Sequence, residues 1–524
     1  MTAAAPESGP RTYGNWRRAR GFGIGSLSTG QTYTLFGAIV VPLAASYYSL
    51  RAGLLVAPVS MLVLAAMLVR VGGYSLTDVV GRRFRFSRAR SAGWTELSGG
   101  LLTDHPRGED LPGPMAPVVP LSTDDGRGGS QGILWDRRTG RLTVVIRVSP
   151  VGLDLADRAQ ADGWVAAFGG FLADLGYQPM VRHVAITIDT APSGGTTLRD
   201  YVAGRLDPAA PAAARAVMGE LVDATPATSA DVDTRVSVTF DPARANPRPT
   251  DLVSAVAEVT RWLPGLEASL AATGVAVLGR ASTEWIIGRL RVAYDPASRG
   301  DVARVLDHHG TYPPRHAVPG FPAAAGFGAA GFGGADELLV WRDAGPLRAS
   351  ENWDRWWHDS GVSVSWALAE APRQAVMSRV LIPLLAPGAF PRRVTLFYEP
   401  YPAEAAAAEV EREISNNSVR SAFARRTRRD ETQRERDDQA RALQAAREEA
   451  EGAGVGKFTF YITTTIAADT ADDALLGAAA ADVEQRAGQS KLRLRRLRGA
   501  QSAGFAAALG LGINPVELAR RGRR

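Results

Sequence analysis

The chain has 524 residues, of which 60 are Lys or Arg and 54 are Asp or Glu, so its formal net charge is +6 at pH 7. This length leaves room for several domains, and so small a net charge is weak support for a nucleic-acid partner. Cysteine is absent, which excludes disulfides, thiolate metal sites and a cysteine nucleophile.

Two apolar runs lie near the N-terminus. They cover Tyr33 to Leu50 and Ala52 to Val69, each 18 residues long, and Arg51 between them is the one charged residue from 21 to 69. Because a helix rises about 1.5 Å per residue, each run is just long enough to cross a hydrocarbon layer about 30 Å thick. The pattern predicts a transmembrane helical hairpin over 33–70, in contact with the lipid bilayer.

Arginines flank this hairpin. Those expected to orient it are Arg17, Arg18, Arg20, Arg70, Arg82 and Arg83. Positive residues stay on the cytoplasmic side of a membrane, so a multi-pass protein of the cell membrane is predicted, with both termini cytoplasmic and 1–32 as a cytoplasmic arm. The alternative is a twin-arginine signal peptide cleaved near Ala45, but the second apolar run directly after it argues against cleavage.

A first cytoplasmic α+β domain is predicted over 133–318. It follows residues 71–132, which are interpreted as a juxtamembrane segment and linker because much of this segment is rich in Pro, Gly and Asp. Within the domain, residue periodicity predicts a β-hairpin, then helix, strand, helix, strand, helix, strand and helix. This order is typical of a ferredoxin-like α+β sandwich.

A second cytoplasmic α+β domain, with a long charged helix, is predicted over 335–524. The Gly/Ala-rich run 319–334 before it is predicted to be a spacer. That run contains Gly326-x-Gly328-x-x-Gly331, but a dinucleotide-binding loop follows a strand and opens a helix, whereas this one follows prolines. The predicted fold class is therefore α+β, an N-terminal transmembrane α-hairpin followed by two cytoplasmic α+β domains.

No catalytic, cofactor or metal site is predicted. The sequence GAGVGKF at 452–458 is similar to a phosphate-binding loop, but Glu451 stands where that motif needs Gly and Phe458 where it needs Ser or Thr. His183 is interpreted as an ordinary strand side chain. His358 is interpreted as a surface residue beside Trp353, Trp356 and Trp357, of which at least two are expected in the core.

Two groups of arginines are candidate contacts for a phosphate or an acidic partner. They are Arg425, Arg426, Arg428 and Arg429, within the long charged helix, and Arg493 and Arg495, which alternate with leucines along a predicted strand. An acidic protein, lipid headgroups and nucleic acid all fit this chemistry, and nothing in the pattern selects nucleic acid.

Two parts of the chain resemble type IV secretion components. The stretch Arg11-Thr12-Tyr13-Gly14-Asn15-Trp16-Arg17, followed by two spans, resembles an actinobacterial conjugation-associated membrane family, whose hairpin is similar to the short two-span secretion subunit. The C-terminal stretch is similar to the end of the N-terminal, non-catalytic domain of the type IV secretion assembly ATPase. The residues that carry this second resemblance are Gln501, Phe505, Leu509 and Gly512, and Gly510 stands at the family's proline position.

The resemblance implies a membrane-anchored scaffold without enzymatic activity or cofactor, which docks a secretion ATPase supplied by another chain and forms homo- or hetero-oligomers. One alternative is the two-span membrane component of a type VII secretion system, which has the same layout. A membrane-anchored enzyme of unknown activity is the other alternative.

Overall fold

The computed structural model describes residues 29–71, 74–99, 110–152, 156–192, 202–203, 205–207, 209–224, 230–308, 339–372, 376–402 and 456–521. The helices in these ranges are α1 Thr29–Tyr48, α2 Leu50–Leu68, α3 Leu76–Ser91, α4 Arg158–Asp174, α5 Ala212–Ala224, α6 Leu252–Ala271, α7 Thr283–Tyr294, α8 Arg299–His308, α9 Trp341–Ala344, α10 Ile382–Leu385, α11 Asp473–Gln489, α12 Gln501–Ala508 and α13 Pro515–Arg521.

The strands are β1 Arg70–Val71, β2 Tyr74–Ser75, β3 Glu96–Ser98, β4 Val118–Asp124, β5 Ser130–Asp136, β6 Arg141–Ser149, β7 Val181–Pro192, β8 Ala230–Phe240, β9 Ala276–Arg280, β10 Arg348–Glu351, β11 Trp356–His358, β12 Gly361–Glu370, β13 Arg392–Pro400, β14 Gly456–Ala467 and β15 Arg493–Arg496. The predicted α+β class is therefore what the described residues form.

The two apolar runs form α1 and α2, which pack against each other. Ser49 between them is extended, and Gly53 approaches Ser46 so closely that a Cβ at Gly53 would collide with the serine hydroxyl. In the part of the chain that the structure describes, one helix, Leu50–Met67, is long and apolar enough to cross a membrane, and Tyr33–Tyr48 is a shorter apolar helix.

A 13-stranded antiparallel sheet forms the body, in the order β3-β10-β11-β12-β14-β13-β7-β8-β6-β5-β4, with β15 also beside β12 and β9 also beside β6. Residues 71–132, which composition alone presents as juxtamembrane and linker sequence, contribute α3, β3 and β4 instead. The sequence pattern does not predict β4, because Pro120 lies within it and proline is disfavoured in strands. Pro120 is tolerated because β4 is an edge strand, where a missing N–H leaves no ladder bond unmade on the open side.

The sheet contains the same topology twice. In the first half, the hairpin β5–β6 leads through α4 to β7, through α5 to β8, and through α6 to β9, which returns to the edge of β6. In the second half, β11–β12, α10, β13, β14, α11 and β15 repeat this path. Apart from α5, each half thus has the βαββαβ order of a ferredoxin-like fold, preceded by two further strands, β4 and β5 in the first half and β10 and β11 in the second.

The two halves join at β7 and β13. These strands pair antiparallel, with Thr187 opposite Thr395 at the centre of the paired region. The sequence places a domain boundary at 319–334, between these two strands, whereas the sheet runs continuously across that boundary.

Alternate residues of the central strands face two helical layers. On one face, valines and isoleucines of β6, β8, β12 and β14 pack against α4, α6 and α11. On the other face, α7 and α12 form a second apolar cluster with the sheet. Polar residues such as Thr143, Thr187 and Ser237 point toward this second layer and are buried.

Candidate functional site

The helix that follows α2 is strongly basic. α3 begins where the Ser75 hydroxyl accepts a hydrogen bond from the Asp78 N–H at 3.3 Å. Asp78 is its one acidic residue, against five basic residues: Arg82, Arg83, Arg85, Arg88 and Arg90. Of the residues predicted to orient the hairpin, Arg82 and Arg83 lie on α3 and Arg70 lies in β1. Arg17, Arg18 and Arg20 lie outside the described residues.

One side of α3 packs against the body. Phe86 is buried, and its ring meets Trp353 edge-on with 5.4 Å between the ring centroids. The Arg83 guanidinium lies 4.9 Å from the centroid of the same indole. Trp353 is itself held by Gly499, whose N–H donates to the Trp353 carbonyl at 2.7 Å. The basic helix beside α2 is therefore attached to the C-terminal part of the sheet domain.

The opposite side of α3 is exposed. Val80 and Phe84 lie four residues apart on the helix, and Phe84 is 71% exposed. Arg85 and Arg88 are exposed beside them, and Trp94, in the turn after the helix, is 75% exposed. Val80 and Phe84 are one helical turn apart, and exposed apolar side chains that are neighbours on a surface favour interaction with a partner or a membrane.

The tryptophans near β11 are mainly core residues. Trp356 is buried and Trp357 packs against the cluster around β12, so the prediction that at least two of the three lie in the core is confirmed. His358 is also buried, and its interpretation as a surface residue is wrong, because β11 carries it beneath α12. Its Nδ1 lies 2.5 Å from the Tyr294 carbonyl and its Nε2 lies 2.7 Å from the Ser363 hydroxyl. Burial lowers the pKa of His358 to about 4.

The four residues that carry the C-terminal resemblance lie on one segment packed on the sheet. Gln501, Phe505 and Leu509 are buried in and directly after α12, and Gly512 follows them. The Gln501 Oε1 accepts a hydrogen bond from the Ser365 N–H at 2.7 Å. Phe505 packs among aromatic rings from α7 and β11. These residues therefore hold the C-terminal segment against the sheet.

Two glycines bring the chain after α12 directly onto the strands. Gly510 has φ +69° and Gly512 has φ +85°, and a Cβ at these positions would collide with the Thr187 and Thr143 hydroxyls respectively. Proline fixes φ near −65°, so it cannot adopt the backbone of residue 510.

The sheet beneath the segment is polar where the two halves meet. The Thr187 and Thr395 hydroxyls lie 3.0 Å apart across the β7–β13 pair, and the Arg235 Nη2 donates to the Leu509 carbonyl at 3.1 Å. Sequence reasoning missed these residues. Their one signal is that Thr, Ser and Arg alternate with Val and Ile, a pattern that usually indicates a strand with one solvent-exposed face.

A buried carboxylate fixes α13 to the sheet. Glu517 accepts hydrogen bonds from the Arg141 Nη2 at 2.8 Å and from the Arg182 Nε at 2.5 Å. Burial by itself would raise the pKa of Glu517, but Arg141 and Arg182 outweigh it and lower this pKa to about 2. His183, beside Arg182, is a buried residue of β7, and burial lowers its pKa to about 4.

The predicted alternation along β15 is present. Leu492 and Leu494 pack against the apolar cluster around α11. Arg493 is exposed and lies 3.4 Å from a Glu370 carboxylate oxygen, and Arg495 is half-buried. The other predicted contact residues, Arg425, Arg426, Arg428 and Arg429, lie outside the described residues.

The features of the described ranges that bear on ligand binding are any groups that could hold a metal ion and a small cavity near α13. Within these ranges, no group of three or more His, Asp or Glu side chains is placed to hold a metal ion. A small cavity is lined by Arg141, Gly512 and Glu517 among others. Because Arg141 and Glu517 form the ion pair that fixes α13 to the sheet, the cavity is a gap beside this ion pair.

Comparison with known proteins adds information on the N-terminal region. The model of a family described as a domain of unknown function (DUF8461) matches residues 20–78. None of the curated proteins matches the chain. The matched range covers α1, α2 and the first residues of α3, so this chain is similar to that family in its N-terminal helices.

Proposed function

We propose that this protein is a membrane-anchored scaffold subunit of a type IV secretion-like or conjugative machine, and that it docks a separate secretion ATPase. The observation that carries the proposal is the junction of α2, α3 and Trp353. It couples two apolar helices to a large α+β body through a basic helix. In a subunit built in this way, the membrane helices hold the α+β body close to the cytoplasmic surface of the membrane.

The apolar helices suit a bilayer because their outward sides are not covered by the body. Leu54, Leu55 and Leu62 of α2 are each more than two-thirds exposed. The five arginines of α3 follow α2 closely in sequence, and such a bias retains this end in the cytoplasm. The proposed location is thus the cell membrane, multi-pass, with both termini cytoplasmic.

Docking of an ATPase is supported by the C-terminal segment. The residues that resemble the ATPase's own non-catalytic domain are core residues here, which favours a shared domain type. The resemblance implies assembly with further copies or with other subunits. We therefore expect a homo- or hetero-oligomer.

Membrane anchorage is tested by fractionation. Arginine at the centre of a membrane helix costs about 3 kcal/mol, so Leu55→Arg combined with Leu62→Arg should release the protein from the membrane fraction or prevent its accumulation. The matched control places arginine at Val217 and Val253, which are exposed on the body, and should leave fractionation unchanged. Equal membrane recovery of both double variants would contradict the proposal.

Partner identity is tested by affinity purification of the tagged full chain from detergent-solubilised membranes. Recovery of a P-loop ATPase of the type IV secretion class supports the scaffold function. Recovery of a type VII secretion ATPase supports the alternative, which the pair of apolar helices joined to one large body also fits. Repeated absence of any secretion ATPase, with the chain intact and folded, overturns both.

A further inference from the structure

We infer that the outward face of α3 binds anionic phospholipid headgroups of the cytoplasmic leaflet, so that α3 lies between the bilayer and the body. This inference rests on the proposed membrane anchorage of α1 and α2. The α3 lipid face is defined as Val80, Phe84, Arg85, Arg88 and Trp94.

The position of α3 places its first turn beside the end of α2. α2 ends at Leu68 and α3 begins at Leu76, with the β1–β2 pair between them. The Leu76 N–H donates to the Val69 carbonyl at 2.9 Å, and α3 contacts α2 directly. The first turn of α3 therefore lies beside the end of α2, where a membrane-crossing helix leaves the hydrocarbon layer.

The chemistry of the face matches an anionic interface. Phe84 and Trp94 are among its most exposed side chains, and aromatic rings are favoured at the level of the headgroups. Arg85 and Arg88 supply positive charge, and each arginine near an anionic surface strengthens binding about five-fold. Helices that lie in the membrane interface combine these two features.

The other side of α3 is already occupied. Phe86 and Arg83 contact Trp353 of the body, and helical spacing places Phe84 and Arg88 on the side away from that contact. An acidic protein segment is the competing occupant. The two exposed aromatic residues and the direct attachment to α2 favour the bilayer over it.

The absence of cysteine from the chain permits a single-site test on the full-length protein. Phe84→Cys is labelled with an environment-sensitive fluorophore, and the protein is reconstituted into phosphatidylcholine vesicles with and without phosphatidylglycerol. Phosphatidylglycerol should shift the emission to shorter wavelength and make it sensitive to lipid-borne quenchers. Val253→Cys, at an exposed site of α6, is the matched control and should not respond.

A third label, Leu62→Cys on α2, separates the inference from the anchorage on which it rests. Quenching at Leu62 without a response at Phe84 overturns the lipid face and leaves the anchorage standing. No quenching at either site overturns both. A label at Phe84 that is shielded by a co-purifying acidic protein, or that responds equally without phosphatidylglycerol, also overturns the inference.

Charge removal tests the role of the arginines. Replacing Arg85 and Arg88 by Gln should reduce the ratio of docked to undocked α3 on anionic vesicles about 30-fold. The matched control replaces Arg138 and Arg261 by Gln as well. Their side chains are 45% and 73% exposed on the body. An unchanged Phe84 response in the α3 variant would overturn the inference.

Discussion

Glu517 lies between two guanidinium groups, with only 10% of its side chain exposed. Replacing Glu517 by Gln leaves Arg141 and Arg182 buried without their shared carboxylate, so we expect the free energy of unfolding to fall by about 3 kcal/mol at neutral pH. Thermal or denaturant unfolding of the purified chain measures this loss. Glu258→Gln, in an ion pair with the largely exposed Arg261, is the control and should change it by less than about 1 kcal/mol.

The same carboxylate predicts a pH dependence. Arg141 and Arg182 hold the pKa of Glu517 at about 2, against an ordinary value near 4.5 in the unfolded chain. The ion pairs of Glu517 therefore stabilise the folded chain fully above pH 4.5. This stabilisation is lost as the pH falls toward 2, as the unfolded state binds the proton first. The difference in stability between the parent chain and Glu517→Gln should therefore shrink over this interval. A difference that stays constant from neutral to acidic pH would contradict this account.

Gly510 occupies a left-handed backbone conformation directly on the sheet. Gly510→Ala introduces a Cβ that collides with Thr187 at a φ of +69°, so we expect a loss of about 2 kcal/mol or more in the free energy of unfolding. Gly477→Ala is the matched control. Gly477 lies inside α11 with open space around it, and alanine there should stabilise the chain by up to about 1 kcal/mol. Equal effects of both substitutions would show that the segment does not press on β7.

At the level of elements, Trp353 is the contact through which α3 is attached to the body. Trp353→Ala removes the ring that Phe86 and Arg83 contact, so hydrogen exchange of residues 76–91 should accelerate, while α11 keeps its protection. Trp262→Ala, at a partly exposed tryptophan of α6, is the control and should leave α3 unchanged. Unaltered exchange in α3 after loss of Trp353 would mean that other contacts hold this helix.

Individual elements were largely predictable, whereas their partners were not. The strands β7 and β13 could each be predicted from their own residues, since alternation of apolar residues is a local property. Their pairing joins Thr187 to Thr395, 208 residues apart, and local periodicity contains no information about so distant a partner. The buried threonines were missed for a related reason: alternation looks the same whether the polar face meets water or α12.

At the level of the whole molecule, the central pairing of β7 and β13 makes the two halves one structural unit. They are joined by seven residue pairs of that ladder, and the C-terminal segment crosses from Thr395 to Arg141 over the same face. A domain that folded alone would instead expose the β7 edge and its unpaired backbone groups, which favours aggregation. We therefore expect neither half to be soluble when it is expressed alone.

A protease site inserted within 319–334 tests this unity in the intact chain. After cleavage in detergent, the two fragments should remain together through size-exclusion chromatography and separate only in denaturant, because the ladder and the C-terminal segment hold them without a covalent link. Thr395→Pro places a residue without a backbone N–H in β13, opposite Thr187, and should let the cleaved fragments separate more readily. Fragments of the parent chain that separate under native conditions would establish two independent domains and show that the β7–β13 pairing contributes little to cohesion.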